Sequence, residues 1–96
     1  LSVELFPFPE FNSLQLNAYP NPIQKYFNLV IDSRQETQAN LSIINIQGQR
    51  VLNVRLRIQR GKHEYPFELN DDLANGLYVI TLDSDQGQGQ LKVIKQ

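Results

Sequence analysis

Between Leu52 and Gln59 the chain alternates apolar and polar residues without a break. Leu52, Val54, Leu56 and Ile58 stand against Asn53, Arg55, Arg57 and Gln59. A period of two is what a β-strand with one buried and one wetted face requires. A helix repeats its faces about every 3.6 residues and cannot hold such a pattern on one side. This segment therefore fixes a strand, and with it the kind of partner every other segment must supply.

The rest of the chain supplies them. Leu14–Ala18 reads as a short strand stopped by Tyr19-Pro20-Asn21-Pro22. Phe27–Asp32 puts Phe27, Leu29 and Ile31 on one face and Asn28, Val30 and Asp32 on the other. A polar stretch, Ser33–Gln38, leads to Leu41–Ile46, which is almost wholly apolar and predicts a central strand covered on both faces. Gln47-Gly48-Gln49 predicts a turn in which Gly48 takes positive φ.

Arg60-Gly61-Lys62 turns into a strand at His63–Glu68, where Pro66, lacking an N–H, predicts a sheet edge. Asn70–Gly76 has acids at its start and a glycine stop, predicting a single helical turn. Leu77–Asp83, a hairpin loop from Asp83 to Gly87, and Gly89–Lys95 complete the pattern. Strands at intervals of roughly 8–12 residues, separated by turn residues, predict an all-β fold: an immunoglobulin-like antiparallel β-sandwich of about seven strands.

The sequence has 96 residues, enough for one compact domain and too few for two cores. We place the domain at 14–96. Leu1–Ser13, with Pro7 and Pro9 among Phe6, Phe8 and Phe11, reads as an extended linker or edge segment. A formal net charge of −1 provides no basic field for nucleic acid or an anionic membrane surface, and no apolar run is long enough for a membrane span. The chain has no cysteine, hence no disulfide and no thiolate chemistry.

Candidate chemistry is sparse. The single histidine, His63, sits between Lys62 and Glu64 and is expected to face solvent. Ser13, Ser33, Ser42 and Ser84 lie in polar surroundings resembling turns or strand faces, with no partner constellation for a triad. Asp71 and Asp72 are adjacent, too close to oppose one another across a glycosidic bond, and are expected to charge the start of a turn. A sandwich this small leaves little room for a pocket.

Asp83-Ser84-Asp85-Gln86-Gly87 has the opening of a calcium loop, which makes Asp83 and Asp85 a weak calcium candidate. The twelfth position of that loop calls for glutamate and here is Ile94, so a hairpin turn is the default and no metal or cofactor is expected. Arg55 and Arg57, with Arg60 and Lys62 nearby, form a modest basic face without interleaved aromatics, which fits a solvated strand face. These residues predict no enzyme.

One ordered set of motifs is more specific. Tyr19-Pro20-Asn21-Pro22 precedes an alternating strand. Leu41–Ile46 leads into Gln47-Gly48-Gln49-Arg50-Val51. Leu73-Ala74-Asn75-Gly76-Leu77-Tyr78 follows, and a strand with Lys92 and Lys95 comes last. This order resembles the type A C-terminal sorting domain of the type IX (Por) secretion system, over Ala18 to Gln96. One position departs from the family pattern: Asn45 stands where aspartate is usual, and asparagine can make the same side-chain turn hydrogen bond.

The resemblance implies a signal carried at the carboxyl end of a cargo protein. The cargo would cross the periplasm and be recognised at an outer-membrane translocon with its shuttle protein. A sortase-like cysteine protease would then cut it from the domain within Leu1–Ser13, leaving cargo secreted or at the cell surface. The terminal strand, Gln90–Lys95, with Lys92 and Lys95 guarding its edge, is a candidate for strand pairing with the machinery. The alternative is an immunoglobulin- or fibronectin-like accessory module binding carbohydrate or protein.

Overall fold

The computed structural model describes residues 14–96. Seven strands run β1 Gln15–Tyr19, β2 Tyr26–Ser33, β3 Thr37–Asn45, β4 Arg50–Ile58, β5 Gly61–Glu68, β6 Gly76–Ser84 and β7 Gly87–Lys95. They form two antiparallel sheets, β1-β2-β5 and β4-β3-β6-β7. This is the predicted sandwich, with the fourth strand placed beside the third. In an immunoglobulin constant domain it would join the other sheet.

Alternation determines which side chains meet. Phe27, Leu29 and Ile31 of β2, Leu41 and Ile43 of β3, and Tyr78, Ile80 and Leu82 of β6 are all buried in one core. The register Leu41↔Leu82 and Ile43↔Ile80 stacks them in facing pairs. Phe27 lies opposite Phe67 in the β2–β5 register, and their rings stack at 5.6 Å between centroids.

The predicted boundaries need three corrections. β3 begins at Thr37 rather than Leu41, because its first residues pair with the arginine-bearing β4: Gln38↔Arg57 and Asn40↔Arg55. Ile46 lies beyond the strand and is 73% exposed, so the far end of β3 is not covered on both faces. The predicted helical turn at 70–76 is a hydrogen-bonded turn, Leu73 N donating to Asn70 O, and no helix forms. Three residues lie between Asn70 and Ala74, the partner of Tyr78, too few for a helix to build while the segment also feeds β6.

Other expectations match. Gly48 has φ 83°, and Asn45 Oδ1 accepts from the amides of Gln47 and Gln49 at 3.0 and 2.9 Å. Pro66 lies on β5, an edge strand. Tyr78, buried at the start of β6, donates its hydroxyl to Ala74 O at 2.6 Å, a tyrosine corner that pins the loop before β6.

The sandwich closes unequally along its two sides. On one side β1 lies against β7, with Leu14 N donating to Gln88 O and Ile23 forming a parallel bridge to Lys95. Gly89 permits this approach. A Cβ there would stand 2.9 Å from Leu14 O and 3.0 Å from Leu16 Cγ. On the other side β4 passes to β5 through Gln59-Arg60, and no backbone bond joins the two strands along their length. Replacing Gly89 with Ala should therefore force β1 off β7 and cost about 1–3 kcal/mol in denaturant unfolding. Unchanged stability would mean the approach is not needed.

Candidate functional site

Strand directions sort the connections into two groups. Leu14, residues 34–36, Gln59-Arg60 and Asp85-Gln86 lie at one pole. Residues 20–25, 46–49 and 69–75, together with Gln96, lie at the other. The sequence motifs, far apart along the chain, converge on this second pole. Tyr19, Pro20, Asn21 and Pro22 leave β1 there, and the Tyr19–Pro20 and Asn21–Pro22 peptide bonds are both cis. Gly48 lies in the β3–β4 turn with Val51 just after it in β4, and Leu73 leads into β6, which opens with Gly76 and Tyr78. Lys95 pairs with Gly76, and Lys92 lies three positions earlier on β7, opposite Val79.

Ile23 joins these parts. It is 1% exposed, donates its N–H to Ile94 O at 2.8 Å and accepts from Gln96 N at 3.0 Å. The residue after the proline pair is thus sewn onto the outer edge of β7. Lys95 points inward, 9% exposed, its Nζ donating to Asn75 Oδ1 at 3.3 Å. This corrects the expectation for the terminal strand. The edge of β7 is occupied near both ends, by Leu14 and Ile23, and Lys95 does not guard it. Lys92 is exposed and pairs with Val79.

Charge ties the pole from outside. Lys25 Nζ lies 2.6 Å from Asp71 and 3.6 Å from Glu68, and Leu69 N donates to Lys25 O. Asp71, at the start of the turn, thus also anchors the loop to Lys25. Tyr19 donates its hydroxyl to Glu64, reaching over β2 from one edge of the sheet to the other, a span of roughly 10 Å. Hydrogen bonding to the Glu64 carboxylate raises the Tyr19 pKa, with burial and the Glu64 charge adding to it. The hydrogen bond to Asp71 raises that of Lys25. Burial opposes the rise, and the charges of Asp71, Tyr26 and Glu68 support it.

The pole also gathers the apolar surface. The exposed large hydrophobic side chains among the described residues are Tyr19, Tyr26, Ile46, Leu77 and Ile94, and all five belong to it. Leu77 and Ile94 are cross-strand partners on the outer face of the four-stranded sheet. Five exposed apolar side chains thus lie toward one end of the described sandwich.

The remaining sequence candidates lie elsewhere. His63 does not face solvent freely. Its parity puts it with Tyr65 and Phe67, half-buried, Nε2 carrying the proton 2.8 Å from Arg60 O. Ser33, Ser42 and Ser84 each donate to other groups, namely Gln35 O, Asn53 Oδ1 and Gly87 O. Asp83 accepts from Gln88, Asp85 sits in the hairpin turn, and the described residues contain no group of three metal-ligating side chains. The basic face divides: Arg55 and Arg57 lie on β4, whereas Lys62 lies on the other sheet opposite Asp32. The little room expected for a pocket needs amending too. An open polar trough of about 740 Å³, bordered by Gln15, Asn17, Asp32 and Glu64, crosses the three-stranded sheet. Phe6, Phe8 and Phe11 lie outside the described residues.

The described residues form a two-sheet β-sandwich whose sequence motifs lie at one pole. A family model described as a secretion system C-terminal sorting domain matches residues 17–96, and the chain belongs to that family. It is a C-terminal sorting signal of type IX secretion, directing export across the outer membrane to the cell surface or medium through interaction with the secretion machinery. The crystal structure of dimeric latent PorU from Porphyromonas gingivalis is similar in fold, with a TM-score of 0.63 and 19% identity over 85% of this chain. The chain spans 9% of that protein's length. No curated protein matches the sequence.

Both raised pKa values have one consequence for stability. Each contribution is complete below the group's ordinary pKa of about 10 and is lost as pH rises through the higher folded value. Unfolding midpoints should fall above pH 10 in the unsubstituted protein, and fall less steeply in Tyr19→Phe and Lys25→Met variants. Parallel curves for all three would show that the two clasps add nothing.

Proposed function

We propose that the motif pole is the face the secretion machinery reads: the outer-membrane translocon and the shuttle protein that delivers cargo to it. The observation that carries this reading is the opposition of the two poles. The chain enters the sandwich at Leu14, beside Gln88, while the motif residues and exposed apolar side chains gather at the far end. A cargo domain joined before Leu14 therefore leaves the docking pole unobstructed.

In this proposal Leu1–Ser13 is the linker and residues 14–96 are the sorting domain. A sortase-like cysteine protease cuts within the linker after passage through the periplasm. Extended backbone suits a protease cleft, whereas cutting inside the paired strands would require local unfolding. The domain catalyses nothing itself, and its role is complete once the cargo is released.

The test is a fluorescent protein carrying a periplasmic signal, fused to Leu1–Gln96 and expressed in a bacterium with the type IX machinery. The expected result is fluorescence at the surface or in the medium, with a mass that has lost the domain and places the cut before Leu14. Intact fusion held in the periplasm would contradict the sorting role. Intact fusion exported whole would contradict the proteolytic step.

A further inference from the structure

β4 is the long sheet edge that the described chain leaves without a backbone partner. β7 has the same length, but Leu14 and Ile23 bond to its outer edge. β1 lies beside β7 on that same side, and β5 carries Pro66, which has no N–H to offer. β4 runs nine residues, pairs with β3 alone, and contains neither proline nor glycine.

Its side chains describe what it would accept. Leu52, Val54 and Leu56 point toward the core yet stay half-buried, and across the open side Tyr65 and Phe67 of β5 are half-buried as well. Together they make an apolar row that the sandwich does not cover. The opposite face of β4 carries Arg55 and Arg57, both exposed. Each is bonded through Nε alone, Arg55 to Gln38 on β3 and Arg57 to Glu36 just before it. A guanidinium has further donors on Nη, and these can serve a carboxylate arriving from the β4 side.

We propose that β4 is a strand-accepting edge whose partner is an extended polypeptide segment alternating apolar and acidic residues. The segment pairs along β4, lays its apolar side chains on Leu52, Val54, Leu56, Tyr65 and Phe67, and sets its carboxylates beside Arg55 and Arg57. A second copy of this chain fits poorly, because a second β4 brings the same arginines and sets like charges together. The surface lies along the side of the sandwich, apart from the motif pole, and its occupancy does not depend on the sorting role.

The test is an amide-resolved NMR titration of the 96-residue chain with a synthetic peptide of alternating valine and glutamate, as long as β4. Shifts and exchange protection along β4 are expected, and a valine–lysine peptide should produce neither. The double variant Arg55→Glu, Arg57→Glu should weaken the acidic peptide about tenfold and gain binding to the lysine peptide. A protein that had merely unfolded could not reverse its preference in this way. Protection on β7, or on no strand, would overturn the proposal. Protection of β4 that grows with protein concentration without peptide would assign the edge to a second copy. Protection already complete in the dilute free chain would assign it to the chain's own residues. Either assignment overturns the proposal as well.

Discussion

The placement of Ile23 against the terminal strand holds this sandwich in its functional form. One buried side chain and two backbone bonds, to Ile94 and Gln96, join the loop after β1 to the last strand of the other sheet. Two facing sheets gain most of their stability from the core between them, yet that core does not decide how the ends of the strands sit. Strand direction brings the proline loop, the Gly76 loop and the chain's last residues to one pole, and the bonds of Ile23 tie the first of these to the last.

The asymmetry of the sandwich follows from that bond. With Leu14 and Ile23 both on the β7 edge, β1 is drawn close enough that Gly89 has no room for a side chain. The opposite side receives no such clamp. β4 and β5 are joined at one end by Gln59-Arg60, and apart from Ile58 the inner side chains they carry stay half-exposed. The charged clasps repeat the pattern on the surface. Lys25 with Asp71 ties the loops of the motif pole, and Tyr19 with Glu64 braces the three-stranded sheet next to it.

Most of the fold was legible because alternation is a local signal. The Leu52–Gln59 run needed no tertiary information, and the side-chain turn bonds of Asn45 follow from what asparagine does ahead of a glycine turn. The start of β3 was hidden because Thr37–Asn40 looks polar by itself and is held by β4, a partner the sequence does not place. The inward turn of His63 is masked for a similar reason: its charged neighbours Lys62 and Glu64 face out, and only the alternation with Tyr65 and Phe67 points the imidazole inward. The motifs named the pole residue by residue, but their convergence depends on strand order. Ile23, an isolated apolar residue just after a proline pair, was the one hint of the bond that ties the first of them to the last.

The central claim, that the motif pole is the face read during export, is tested most directly by comparing secretion of two fusions. One carries Ile46→Ser with Tyr26→Ser at the motif pole, and the other carries Asp85→Ser with Gln86→Ser at the pole where the chain enters. All four positions are exposed, so both domains should fold, as circular dichroism and unfolding midpoints would verify. The account predicts that the first pair lowers export about tenfold or more while the second leaves it unchanged. Equal export of both would mean that the gathered apolar surface is not what the machinery reads.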